Sequence, residues 1–134
     1  MIFADRIVYQ RTTENTIGRK LIERDIEAYG KKRCKGLDWV SEKFVSPQRN
    51  SVPDQLVSVP ANLQHPMGFI FFIEYKAPGK KPTPGQVKDH EERRKRGNAV
   101  FVCDSYEETD LVLEIAQYVW RTGELPVLPV FLLT

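Results

Sequence analysis

A chain of 134 residues is long enough for one domain of ordinary size with one core. At 41% hydrophobic and 28% charged residues it should fold, which excludes a chain that stays disordered. The net charge of +2 excludes little by itself; what matters is how the charge is distributed.

In chain order, a first helix is expected to begin near Asn15 or Thr16. Ile17, Leu21, Ile22, Ile26 and Tyr29 recur there at helical spacing. Gly36 is its natural stop. Gly30, inside the helix, costs about 1 kcal/mol against alanine. The segment "DWVSEKFVS" partly alternates and reads as a strand, and "SPQRNSVP" as a loop. "DQLVSVP" is a short strand and "ANLQHPMG" a connection. "FIFFIEY", residues 69–75, is the strongest strand signal, β-branched and aromatic almost throughout.

A second helix opens at "TPGQ". Thr83 is suited to the N-cap, Pro84 to the first helical position and Gln86 to the capping-box partner, with Gly97 as the stop. "NAVFVCD" is another buried strand. "SYEETDLVLEIAQYVWRT" is a third helix, capped by Ser105, with Leu111, Ile115, Tyr118 and Val119 on its apolar stripe. The apolar, proline-broken tail "LPVLPVFLLT" is expected to dock on this chain or on a second copy. The order α-β-β-β-α-β-α predicts a small mixed sheet of about four strands flanked by helices. The first three strands form an antiparallel meander, and the last joins by a parallel crossover. The whole chain, 1–134, reads as one domain with a core over about 16–122. The arm 1–14 and the tail 123–134 are left for a dimer interface.

Residues 19–49 hold nine basic and five acidic side chains, and residues 76–98 eight and three; residues 104–124 reverse this with one and six. Two basic blocks suit a polyanion partner through counterion release, or are simply two solvated helix faces. Cys34 and Cys103 sit among core-like neighbours and are expected as buried, reduced thiols rather than a bridge. No Cys-x-x-Cys metal spacing occurs. "MIFADRIVYQ" lacks the pattern of a secretion signal, and no run approaches the roughly 20 apolar residues of a membrane span. An intracellular, cytoplasmic protein is the expectation.

The chemistry gathers at the end of the 69–75 strand. Glu74 and Lys76 share one strand face, opposite to Ile73 and Tyr75. Opposite charges at the exit of a buried strand are costly unless they work or are well paired. The preceding strand starts at Asp54, after Pro53. If the two strands are neighbours, Asp54 lies beside Glu74. Two close carboxylates repel, and a divalent cation holds both ionised. All-oxygen ligation suits Mg2+ or Mn2+ rather than zinc.

Asp54 followed by Glu74-x-Lys76 resembles the signature of the PD-(D/E)xK nucleases. The wider stretch "EKFVSPQRNSVPDQLVSV … FIFFIEYKAPGKKPTPGQ … HEERRKRGNAVFVCDS" is similar to one branch, the virus-type replication-repair nuclease (VRR-NUC) domain. The likeness covers roughly residues 20–115. It implies a restriction-endonuclease-like core and a metal-dependent DNA endonuclease, selective in some members for branched DNA such as four-way (Holliday) junctions. Carried over residue by residue, it implies Glu23 as the first-helix acid, with Glu27 as the alternative. It further implies Asp54, Glu74 and the Tyr75 carbonyl as metal ligands, Lys76 as the catalytic amine, and Gln86 at the site. Lys43 and Arg49 match basic family positions, and Lys80, Lys81, Arg93 and Arg94 are further candidates for phosphate contact. The chain departs from the pattern at Gly30, where the family has leucine, and in the longer link 60–68. His65 and His90 have no metal-ligand companion and are assigned no catalytic part. A homodimer acting on DNA is the expected assembly. The rivals are a sequence-preferring or nicking endonuclease, and a DNA-binding module of the same fold without turnover.

Overall fold

The structure, a computed structural model, describes residues 11–134; the arm expected at an interface lies outside the described residues but for Arg11–Glu14. The elements run α1 (Glu23–Gly36), β1 (Val40–Lys43), β2 (Gln55–Val59), β3 (Phe69–Tyr75), α2 (Pro84–Lys95), β4 (Val100–Cys103) and α3 (Tyr106–Thr122), with a final 3-10 turn over Val130–Leu132. The sheet order is β1-β2-β3-β4. The first three strands are antiparallel, and β3 pairs with β4 in parallel. This is the α/β mixed sheet expected from the order of elements.

The first helix starts later than its apolar spacing predicts. The Asn15 side chain accepts from the backbone N–H groups of Ile17 and Arg19, and Gly18 sits at φ 80°, so residues 14–20 close a turn bridged from Glu14 to Lys20. A local side-chain bond of this kind offers the backbone an alternative to helix. Ile17, placed on the apolar stripe by its spacing, is 85% exposed. The helix begins instead where the Asp25 carboxylate accepts from the Ile22 N–H. Gly30, which looked like a plain loss of helix propensity, is a close approach. A Cβ there would stand 1.9 Å from the Tyr75 hydroxyl, so only glycine lets α1 lie down on β3.

The other helices start as expected. Thr83 Oγ1 accepts from the Gln86 N–H, while the Gln86 side chain accepts from the Thr83 N–H. Ser105 caps α3 through the Glu108 N–H, and Gly123 ends it at φ 73°. Odd-numbered residues of β3 (Phe71, Ile73, Tyr75) join Val57, Phe101, Ile26, Cys34, Leu111 and Ile115 in the core under α1 and α3. Both cysteines are free and buried there. The tail docks on its own chain, because Leu132 is fully buried in this core, past the expected limit at residue 122. The even-numbered Phe72 and Glu74 face α2, whose buried residues are Asp89 and His90. One face of the sheet is therefore oily and the other carries the polar groups.

Candidate active site

The position of Asp54 follows from where the β2–β3 ladder stops. Its last pair is Gln55 with Ile73, so Asp54 and Glu74 are next in register. The β3 backbone still offers the N–H of Tyr75, and the Asp54 Oδ2 takes it at 2.9 Å. That bond seats the Asp54 carboxyl beside Glu74, within hydrogen-bond reach of it. Burial and then Glu74 push Asp54 up to about 7. Burial also raises Glu74, against the opposing pull of Asp54 and Lys76. The Lys76 Nζ lies 3.8 Å from Glu74 Oε2, its side chain only 13% exposed.

Glu74 is 1% exposed. Its Oε2 accepts from Gln86 Nε2 at 3.2 Å, so Gln86 serves the helix cap and the site with opposite ends of one amide. Its Oε1 has no hydrogen-bond partner. The group nearest in kind is His90, whose Nε2 stands 3.5 Å away and is likewise buried and unpartnered. Burial, helped by the neighbouring Arg94, holds the imidazole down at about 4, so the ring is neutral. The sequence reading set His90 aside. The signal that could have found it is the four-residue step from Gln86, which puts both on one face of α2.

Glu23, the first residue of α1, is exposed and reaches the same end of the sheet. Burial and the charge of Asp54 raise its pKa. Glu27, one turn on, accepts from Gln55 Nε2 at 2.8 Å, and Gln55 in turn accepts from Ser41. Among the described residues no three His, Cys, Asp or Glu side chains close into a ready-made cation cage. The centre is the pair Asp54 and Glu74, with Glu23 at its margin. The Asp54 and Glu74 carboxyls still fit a hard divalent cation: the set is all oxygen, two carboxyls are in reach of each other, and a buried Glu74 oxygen lacks a partner.

The six basic candidates divide. Lys43, Lys80 and Lys81 are exposed. Lys43 pairs in register with Gln55, and Lys80 and Lys81 follow β3 in the chain. Arg93 is held otherwise: it bonds Asp89 at 2.8 Å and lies 5.2 Å over the rings of both Phe44 and Phe72. Arg94 gives Nε and Nη2 to the Val100 carbonyl, which the expectation of phosphate contact did not foresee. Arg49 ties its loop to α2 through Asp89 at 2.7 Å and Glu92 at 2.9 Å. The sequence marked these arginines only as basic; the packing of α2 against the sheet and the Arg49 loop gave them partners. His65 is structural, its ring against the Val119 carbonyl.

No protein-family model matches the chain. Over 87 residues it is 40% identical to a protein of Acyrthosiphon pisum secondary endosymbiont phage 1 described as "Putative nuclease p44", covering 65% of this chain and 87% of that one. A solved structure described as "VRR_NUC domain" is similar at TM-score 0.59 and 35% identity, over 69% of this chain and 94% of that one.

Proposed function

Since this chain belongs to the VRR-NUC domain family, we propose that it is a nuclease, and more finely a divalent-metal-dependent endonuclease that hydrolyses DNA phosphodiester bonds. The observation that carries this reading is the meeting of Asp54, Glu74 and Lys76 at one end of the two central strands, with a buried Glu74 oxygen left open.

Asp54 and Glu74 hold the cation, Mg2+ or Mn2+, with the Tyr75 carbonyl and Glu23 as further ligands. When bound, it supplies charge neutralisation and a more acidic water. Lys76 places its ammonium where charge builds on the phosphate, and orients the attacking water. Gln86 holds the plane of the Glu74 carboxylate. Lys43, Lys80 and Lys81 supply sequence-independent attraction to the DNA backbone. Branched DNA such as a four-way junction is the proposed substrate. Two copies would then set two sites on opposing strands. The exposed Leu125, Val127 and Val130 of the tail favour such a contact, and light scattering reads it out.

The test is a panel of labelled duplex, flap, fork and four-way junction with Mg2+, Mn2+ or chelator. The wild type is expected to cut the junction only with metal. Lys76→Ala should abolish cleavage while DNA binding in a gel-shift assay stays within about threefold. Full cleavage by that variant removes Lys76 from the mechanism, and binding without cleavage by the wild type favours the non-catalytic module.

A further inference from the structure

The Glu74 carboxylate has its amide and ammonium donors on one oxygen only, with the Asp54 carboxyl in reach besides. Oε2 has the Gln86 amide at 3.2 Å and the Lys76 ammonium at 3.8 Å. Oε1 faces His90 Nε2 at 3.5 Å, and neither atom has any other hydrogen-bond partner. Both residues are 1% exposed, so bulk water does not substitute. Two buried polar atoms left facing each other cost free energy that one hydrogen bond would remove. A ring nitrogen that carries a proton donates a hydrogen bond, and one that does not accepts. A carboxylate oxygen opposite Nε2 selects the tautomer with the proton there.

We infer that His90 is a positioning residue for Glu74: its Nε2–H donates to Oε1, while Gln86, four residues earlier on α2, donates to Oε2. One helix face thereby holds both oxygens of one carboxylate and fixes its rotation toward Asp54. His90 touches neither DNA nor water in this role. The inference rests on the reading of Glu74 as a cation ligand. Partners of this second layer typically change metal affinity by about ten- to a hundredfold when removed.

Two measurements test it. Calorimetric titration with Mn2+ should show His90→Phe binding about ten- to a hundredfold more weakly than wild type. His90→Gln, whose amide N–H reaches the same place, should stay within about threefold. Glu74→Gln serves as the non-binding control. In parallel, 15N NMR of the metal-free wild type should show the Nε2-protonated tautomer, unchanged when Mg2+ is added. Equal affinity in His90→Phe overturns the inference. So does a proton on Nδ1, or loss of the Nε2 proton with Mg2+, which would make His90 a ligand itself. Should His90→Phe fail to fold, His90→Gln and the tautomer decide. If the wild type binds no Mn2+ yet shows the Nε2–H tautomer, the cation reading falls and the grip of His90 on Glu74 stands.

Discussion

Two of the close carboxyl pairs among the described residues are treated differently. Asp104 and Glu108, at the start of α3, are enclosed by donors. Arg11 reaches both, at 3.0 and 2.7 Å; the Gly79 N–H bonds Asp104, and the Asp104 N–H bonds Glu108. Asp54 and Glu74 have no arginine. Their donors are one backbone N–H, one amide and a lysine at 3.8 Å. Glu74 Oε1 and Asp104 Oδ1 both lack a hydrogen bond, but Asp104 Oδ1 has the Arg11 guanidinium at 3.0 Å, whereas Glu74 Oε1 has only the His90 ring at 3.5 Å. An acid pair whose charge is balanced inside the protein fastens a structure. An acid pair left short of positive charge attracts a cation.

That contrast can be broken at either pair. The largest effect is expected at the open one. Glu74→Gln should lower cleavage by roughly a thousandfold or more, by analogy with removal of a preorganised charged group. Its melting temperature should stay level or rise, because a neutral amide replaces a buried, repelled carboxylate. A large fall in melting temperature would place Glu74 with the fastening pair.

At the enclosed pair the signs reverse. Arg11→Met should leave cleavage within about twofold of wild type and cost about 1–2 kcal/mol, the arginine being partly exposed. For a chain of this length that is about 5 °C in melting temperature. Unchanged stability would show Arg11 to be a surface ornament rather than a clasp.

The smallest effect is in the pH profile. Burial and the neighbouring Asp104 push Glu108 up to about 7. Its folded value therefore lies above its unfolded one. The stability it contributes is complete below about pH 4.5 and is lost as pH rises through about 7. Asp104, held low by its hydrogen bonds and Arg11 despite burial, acts with opposite sign in more acid solution, and His90, held down at about 4, offsets part of the fall below about pH 6.5. The melting temperature should fall by a few degrees between pH 5 and 8. Glu108→Gln should make that slope shallower rather than flat, since Asp54 contributes in the same sense. A wild-type curve that rises with pH over this window would contradict the assignment.

Much of this was legible along the chain. Strand β3 announced itself by five apolar and aromatic residues leading into Glu74-Tyr75-Lys76. Its alternation alone put Glu74 and Lys76 on one face. The caps at Thr83 and Ser105 were readable because capping uses residues three apart, which are local by construction. The failures were local in appearance and non-local in cause. Ile17 has helical spacing, but the Asn15 side chain captures the backbone first. Gly30 reads as a weak point, and its reason lies 45 positions away at Tyr75. Arg93 and Arg94 read along the chain only as basic residues, and the fold adds Phe44, Phe72 and the Val100 carbonyl as their neighbours.

The residues by themselves determined the order of elements and the identity of the acids and the lysine, because periodicity and capping act between neighbours. Only the folded arrangement decided that Asp54 meets Glu74, that His90 faces the open oxygen, and that Arg11 closes over Asp104 and Glu108. Those meetings depend on strand register and on the packing of α2 and α3, which bring together groups 16 to 97 positions apart. No local preference encodes such a distance; it is set when the apolar face of the sheet is buried and everything attached to it is carried into place.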